Sequence, residues 1–159
     1  MSVNLKDFIQ QLDCMFDEWS YYIDRTNGEL LSFQDRYLSL AEELEADPLL
    51  PLAPWEQEEV EAAKTMLNHW DDMIRFPDKR ELDEYGMMED FIETLTDPHQ
   101  RECFEIAISG RGAFRRFKDT LPRFGLEQQW YRYKDEALFD FARKWCEENS
   151  LSYTTEDAR

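Results

Sequence analysis

The sequence predicts a mainly α-helical protein of the α+β class, with five to seven helices packed around one core and one small N-terminal antiparallel β-hairpin. Three observations predict this fold. Apolar residues recur at helical spacing through most of the 159 residues. That spacing is interrupted by prolines, Asp-Pro pairs and glycines, which are typical of the positions where helices begin and end. Aromatic residues make up 14% of the chain, far too many for a disordered acidic protein.

The N-terminal part of the chain contains the predicted hairpin. Apolar residues repeat every three or four positions over 4–17, which predicts a first amphipathic helix. Two β-prone segments then flank Asn27-Gly28, a pair that is typical of tight hairpin turns because both residues tolerate positive φ angles. We therefore expect a hairpin over about 19–33.

The middle of the chain predicts two helices separated by a proline-rich loop. The first helix begins at Ser32 or Gln34 and ends at Ala46. The three prolines that follow predict a loop over 47–54, because proline lacks the backbone N–H that regular structure needs. Pro54 suits the first position of a helix, and the apolar spacing after it predicts that this helix continues to about Phe76.

Four further helices are expected in the second half of the chain. Asp97-Pro98 is a typical helix start, and Gly110 a typical end. In the helix after Gly112, Phe114 and Phe117 are expected to share one apolar face with Leu121 and Phe124. The predicted helices lie at about 80–96, between Pro98 and Gly110, at 113–124 and at 126–149. Residues 151–159 are expected to form a frayed tail.

We expect a single domain over 1–159, since that length is typical of one domain. Three separated cysteines without a CxxC pair predict reduced, buried thiols in a cytoplasmic protein. The first residues lack the basic and apolar segments of a signal peptide, so no leader is expected. No run approaches the roughly 20 apolar residues of a membrane span, so no membrane contact is expected either.

The charge of the chain is strongly negative and unevenly distributed. The net charge is -18, which favours solubility and opposes binding to nucleic acid over most of the surface. Residues 1–99 carry a net -18 and residues 100–159 a net zero. Within the second part, the basic segment 111–134 has seven Lys+Arg and two Asp+Glu, a net +5.

No catalytic residue, metal site or cofactor is expected. The chain has two histidines, His69 and His99. His69 shares a helical face with Asp72, but a metal site needs three or four ligands in fixed geometry and no third is apparent. The cysteines lie in no nucleophile signature, and Gly110-Arg111-Gly112 lacks the Lys-Ser/Thr of a phosphate-binding loop.

The best candidate site is the start of the helix at Gly112. Free N–H groups and the positive end of the helix dipole attract anions there. The candidate residues are Arg111, Gly112, Arg115, Arg116 and Lys118, because arginine binds carboxylates and phosphates in a bidentate way. The favoured alternative is internal pairing, in which Arg111 and Arg116 bind Asp90 or Glu93 of the same chain.

Aromatic and basic residues also alternate over Trp130–Lys134, a pattern seen in proteins that bind single-stranded nucleic acid. Trp130 and Tyr133, however, belong to the apolar stripe of the last helix, which leaves Tyr131 as the clearly external aromatic residue. Packing in the core is therefore the favoured interpretation, and nucleic acid is an unlikely partner.

Several segments resemble uncharacterised protein family 0158, a group of bacterial proteins. The similar segments cover most of the chain and are 21–30, 82–85, 88–91, 110–119, 130–137 and 142–149. The resemblance implies a bacterial, cytoplasmic protein. It implies no activity, because the family brings no established function or catalytic residue.

The expected function is a non-enzymatic interaction or regulatory module. Its basic surface around Arg111–Arg116 would bind a protein partner with an acidic segment, or a small anion. Two alternatives stay open. One is a phosphoester hydrolase or nuclease in which Asp and Glu hold Mg²⁺, and the other is a nucleic-acid-binding protein.

Overall fold

The computed structural model describes residues 2–155. Within them lie seven α-helices and five short β-strands, which confirms a mainly α protein with a small antiparallel sheet. The helices are α1 (Leu5–Asp13), α2 (Asp35–Ala46), α3 (Pro54–Asn68), α4 (Glu84–Glu93), α5 (Pro98–Ala107), α6 (Ala113–Phe124) and α7 (Glu127–Glu148). The strands are β1 (Val3–Asn4), β2 (Trp19–Asp24), β3 (Leu30–Gln34), β4 (Met73–Arg75) and β5 (Tyr153–Thr154).

Side chains that accept backbone N–H groups explain where several helices begin. The Asp97 carboxylate accepts the N–H groups of His99 and Gln100 at the start of α5, and Pro98 occupies the first helical position. At the start of α3, Glu56 accepts the N–H of Ala53 at 3.0 Å. That hydrogen bond, followed by one from Arg36, lowers the pKa of Glu56 from its ordinary value.

The hairpin of β2 and β3 has the predicted strands but a longer loop. The strands are antiparallel, with Tyr21 opposite Ser32, and residues 25–29 connect them. Gly28 has a φ of +75°, whereas Asn27 does not adopt positive φ. A Cβ at Gly28 would lie 2.7 Å from the carbonyl carbon of Ser2, so both the backbone angle and the close approach require glycine.

The prediction of one helix up to Phe76 was wrong in its second half. Helix α3 ends at Asn68, and Met73–Arg75 form β4, which pairs antiparallel with β2 and places Ile74 opposite Ile23. The sheet order is therefore β3-β2-β4. Ile74 continues the helical spacing of α3, but pairing with a distant strand decides its conformation, since strand formation depends on tertiary context more than on local preference.

The prediction of a frayed tail was wrong for the residues that the structure describes. Leu151 is buried, and Tyr153–Thr154 pair in parallel with Val3–Asn4. The N–H of Val3 donates to the carbonyl of Ser152 at 2.8 Å. Pairing with the start of the chain orders this segment, while residues 156–159 lie outside the described range.

The chain divides into two compact units. Unit 1 contains Met1–Lys79 and Arg143–Arg159, and unit 2 contains Arg80–Ala142. Each has buried residues of its own, and the expected single domain stays a prediction. In unit 1 a buried cluster lies between α2 and α3, and the rings of Phe8, Phe76 and Trp145 contact one another.

The core of unit 2 is built around aromatic rings from α4, α5, α6 and α7. Phe117 is 1% exposed, and its ring centroid lies 4.7 Å from that of Trp130 and 5.4 Å from that of Phe104. Phe91 contacts Phe117 and Trp130 edge-on. Edge-to-face pairs of this kind add to the free energy of burial. No helix within residues 2–155 is long and apolar enough to cross a membrane.

Candidate binding face on helix α6

Helix α6 begins and ends at the predicted residues because a glycine in the left-handed region flanks each end. Gly112 precedes it with φ +77°, and Gly125 follows it with φ +65°. Gly110 also has a φ of +77°, so the connection between α5 and α6 turns sharply within five residues. This connection places Arg116 of α6 beside the last carbonyls of α5.

The Arg116 side chain is exposed, but its guanidinium is held by backbone carbonyls of unit 2. Its Nε donates to the carbonyl of Ala107 at 2.8 Å, and its Nη2 donates to the carbonyl of Ser109. Ala107 is the last residue of α5 and Ser109 lies two residues beyond it, and carbonyls at the end of a helix lack helical partners and favour a cation. The predicted internal binding of Arg116 is therefore present, but the predicted acceptors, Asp90 or Glu93, were wrong.

Asp90 and Glu93 act instead on Tyr133. Burial, followed by the negative charges of Asp90 and Glu93, raises the pKa of the Tyr133 hydroxyl from its ordinary value. The tyrosine stacks against Trp130 with a centroid distance of 6.2 Å and contacts Phe91 edge-on. It is part of the core edge, as the stripe on α7 predicts.

The remaining candidate cations are exposed. The Arg115 side chain is 89% exposed, and its Nε lies 4.0 Å from an Asp119 oxygen, a long contact between solvated groups that contributes little. Within residues 2–155, Arg111 and Lys118 have no hydrogen bond or ion pair to a described side chain or carbonyl. All five residues that the sequence predicts as a site are exposed, and of the four cations Arg116 has close hydrogen-bond partners, whereas Arg111, Arg115 and Lys118 have none within the described residues.

An exposed aromatic ring lies among these cations. Phe114 is 47% exposed, so the prediction that it shares the buried face of α6 was wrong. Lys118 follows Phe114 by four residues and Arg115 by three, so its side chain is a neighbour of both on the helix surface. We call Arg111, Phe114, Arg115 and Lys118 the basic face.

The second half of the basic segment is mostly core. Trp130 is 5% exposed and belongs to the buried cluster of unit 2, which confirms its predicted position. Tyr131 is 60% exposed, next to the exposed Arg132. This arrangement offers one stacking surface rather than the series that single-stranded nucleic acid uses.

The three thiols differ in exposure, so the prediction that all are buried was right for one. Cys146 is buried, and burial raises the pKa of its thiol to about 11. Cys14 is exposed, and Cys103 is half-buried with its Sγ 3.8 Å from Nε2 of His99. Sequence reasoning missed this pair, although the spacing of four residues at the start of a helix would have indicated it.

Two clefts contain the accessible thiols. In unit 2, a groove of about 310 Å³ between α5 and α6 is lined by Cys103, Ile106, Ala107, Arg116, Asp119, Thr120 and Arg123. In unit 1, Cys14 belongs to a cleft of about 600 Å³ with Asp7 and Glu29 in its lining. Among residues 2–155, no three His, Cys, Asp or Glu side chains are grouped so that they could hold a metal ion.

Comparisons with known proteins identify relatives of uncharacterised function. The model of a family described as "Uncharacterised protein family (UPF0158)" matches residues 1–158. A UPF0158 protein of Pseudomonas aeruginosa is 36% identical over 67 residues, which are 42% of this chain and 44% of that protein. The match thus spans less than half the length of that relative. No solved structure matches the chain.

Proposed function

We propose a binding function for this chain, which belongs to the Uncharacterised protein family (UPF0158) and inherits no activity from it. The chain is a non-enzymatic interaction or regulatory module whose basic face binds an acidic segment of a partner protein. The observation that carries this proposal is the exposure of Phe114 among three cations without strong internal partners. Aromatic and arginine side chains are enriched at protein interfaces.

The absence of strong ion pairs supports a partner outside the chain. The protein has 36 Asp+Glu, so cations could readily bind carboxylates of their own chain. Arg36 does so with Glu56 at 2.7 Å. Arg111 and Lys118 have no such partner among residues 2–155, and Arg115 has a contact of 4.0 Å.

The spread of the basic face favours a peptide segment over a small anion. A small anion at the start of α6 would need a cation beside the first turn, and the Arg116 guanidinium lies there, with Nη1 3.1 Å from where a Cβ of Gly112 would be. That guanidinium already donates to Ala107 and Ser109. Arg115 and Lys118 lie on the outside of α6 and Arg111 precedes the helix by two residues, so an extended acidic segment can reach several of them together.

The two alternatives receive less support. A nucleic-acid partner would meet a net charge of -18, and within the basic segment 111–134 the exposed aromatic residues are Phe114 and Tyr131. A metal-dependent hydrolase would need a group of ligands that residues 2–155 do not contain. The basic face can still attract an acidic segment although the whole protein is negative. At physiological ionic strength, salt screens the repulsion from charges that lie farther away than about 8 Å.

A labelled peptide tests the proposal directly. The probe is a fluorescent peptide of alternating Glu and Leu, and its binding is measured by anisotropy at low and at physiological salt. Replacing Arg111, Arg115 and Lys118 by Gln is expected to weaken binding at least about tenfold, since each lost charge-assisted contact contributes on the order of 1 kcal/mol. The far-ultraviolet circular dichroism should stay unchanged, because these side chains stabilise nothing inside unit 2.

A second triple variant provides the matched control. Arg75, Arg132 and Lys144 are exposed residues outside the basic face, and their replacement by Gln changes the net charge by the same amount. This control should bind the peptide as the unmodified protein does. Equal binding by both triple variants would overturn the proposal, and so would face-dependent binding of inorganic phosphate or single-stranded DNA without binding of the peptide.

A further inference from the structure

We propose that Cys103 is a modification site, where its thiol forms a mixed disulfide with one half of a small disulfide that carries carboxylates. The site is the groove between α5 and α6 in unit 2, and none of its lining residues belongs to the basic face. Its components are a half-buried thiol, a histidine at 3.8 Å, and two arginines in the lining of the same groove.

His99 and Cys103 have the geometry of a base and a nucleophile. They are four residues apart on α5, so the helix itself fixes the 3.8 Å between Nε2 and Sγ. The His99 ring also contacts Phe124 edge-on at 6.1 Å between centroids. A cysteine enzyme or reactive thiol uses a histidine in this way, with distances that are often long before a substrate binds.

The groove beside the thiol can hold a negatively charged group. Arg116 and Arg123 belong to its lining, and Asp119 is the carboxylate among the lining residues. Arg116 is fixed by the α5 carbonyls, while Arg123 is exposed and lies over the Phe124 ring at 5.5 Å. Arg123 and His99 therefore contact the same ring, and Arg123 lines the groove that contains the thiol, where its guanidinium can bind a carboxylate.

The chemical step is thiol–disulfide exchange. His99 accepts the proton of the Cys103 thiol, and the sulfur attacks one sulfur of the disulfide. A new S–S bond forms to Cys103, the original S–S bond breaks, and the leaving sulfur takes the proton from His99. The protein thiol is oxidised, half of the disulfide is reduced to a thiol, and no other reagent is consumed.

The other two cysteines provide internal references. Cys14 is exposed, but its cleft has Asp7 and Glu29 in the lining and no Lys, Arg or His, which favours cationic reagents. Cys146 is buried, so it should not react in the folded protein. The chain thus contains one thiol in a basic groove, one in an acidic cleft and one that is shielded from reagents.

The experiment compares two aliphatic disulfides of opposite charge, 3,3′-dithiodipropionate and cystamine, on the full chain at pH 7.5. Initial rates at each cysteine are read by mass spectrometry of peptides. The Cys103-to-Cys14 rate ratio should be at least about tenfold higher with the dicarboxylate than with the diamine, because local charge steers small ions. Because both cysteines react with the same reagent, the ratio cancels any difference in intrinsic reactivity between the two disulfides.

Variants then separate the roles of the groove residues. His99→Gln should slow Cys103 about tenfold or more with both reagents, as the loss of a positioned base does. Arg123→Gln should slow the dicarboxylate alone, while Arg132→Gln, which removes an equal charge on α7, should leave both rates unchanged. An equal ratio for both reagents, or an Arg123→Gln protein that reacts like Arg132→Gln, would overturn the proposal. A Cys103 rate that does not respond to His99→Gln would overturn the assigned base.

Discussion

The two faces of helix α6 contain the same residue types in opposite surroundings. Phe117 and Arg116 contact other elements of unit 2: the Phe117 ring is 1% exposed, and the exposed Arg116 guanidinium donates to two carbonyls. Phe114 and Arg115 face solvent, where the ring is 47% exposed and the arginine side chain 89%. Residues that are adjacent or one turn apart thus differ entirely in what they contact.

This difference shows that partners outside the helix decide the role of each residue. Phe114 and Phe117 are three residues apart, a spacing that is compatible with one apolar stripe. The rings of α4, α5 and α7 cover Phe117 and leave Phe114 uncovered. Likewise, the end of α5 lies next to Arg116, and no described residue is close to Arg111 in the same way.

The largest expected contrast is between the two phenylalanines. Phe117→Ala should lower the free energy of unfolding by about 3–5 kcal/mol, because it leaves a cavity among three aromatic rings. Phe114→Ala should change it by no more than about 0.5 kcal/mol. Urea denaturation, followed by tryptophan fluorescence, measures both values.

For peptide binding, a change at Phe114 should have the larger effect and a change at Phe117 the smaller one. Phe114→Ala should weaken binding of the acidic peptide while the protein stays folded, since the exposed ring is part of the basic face. A conservative change in the core, Phe117→Leu, should leave binding unchanged at a temperature where the protein is folded. A Phe114→Ala protein that unfolds like Phe117→Ala would show that the two faces are equally structural.

The sequence predicts well the elements whose ends are set by local chemistry. Asp97-Pro98 and the glycines around 113–124 determine where α5 and α6 lie, and both are close to the predicted bounds. Strand β4 and strand β5 were missed because each is ordered by a partner that is distant in the chain. Ile74 pairs with Ile23, and Tyr153 with Val3, and no local pattern encodes either pairing.

The candidate site was predictable as a region but not residue by residue. The charge count finds the segment and its arginines. It cannot find that Arg116 binds the carbonyls of Ala107 and Ser109, because every residue has a carbonyl and the sequence does not say which ones lack partners. The exposure of Phe114 was missed for a related reason, since helical spacing alone favours burial.

A smaller contrast is expected between the two arginines. Arg116→Gln should lower the free energy of unfolding by about 1–3 kcal/mol, because two carbonyls at the end of α5 lose a charged donor. Arg115→Gln should cost less than about 0.5 kcal/mol, since its contact with Asp119 is long and solvated. Urea denaturation of the two variants at equal ionic strength gives the comparison.

Arg116→Gln and Arg115→Gln form a matched pair, because each removes one positive charge from neighbouring positions on the same helix. A purely electrostatic effect of the charge would destabilise both proteins equally. Equal losses would therefore contradict the assignment of Arg116 as a donor to the α5 carbonyls and of Arg115 as a solvated side chain.

The smallest expected effect concerns the glycine beside Arg116. Gly110 and Gly112 have the same φ of +77°, so Gly→Ala at either position should cost about 1–2 kcal/mol in backbone strain. A Cβ at Gly112 would also lie 3.1 Å from Nη1 of Arg116, whereas a Cβ at Gly110 would meet no atom within 4 Å. Gly112→Ala should therefore cost about 0.5 kcal/mol more than Gly110→Ala, because the guanidinium must shift away from its carbonyl acceptors.

A double-mutant cycle tests whether this extra cost belongs to Arg116. In an Arg116→Gln background, Gly112→Ala and Gly110→Ala should destabilise the protein equally, within about 0.3 kcal/mol. If the extra cost at Gly112 persists without the guanidinium, its cause is the backbone and not the side chain. If it disappears, the close contact between Gly112 and Arg116 is present in solution, and a hydrogen-bonded arginine joins α6 to the end of α5 in addition to the aromatic core.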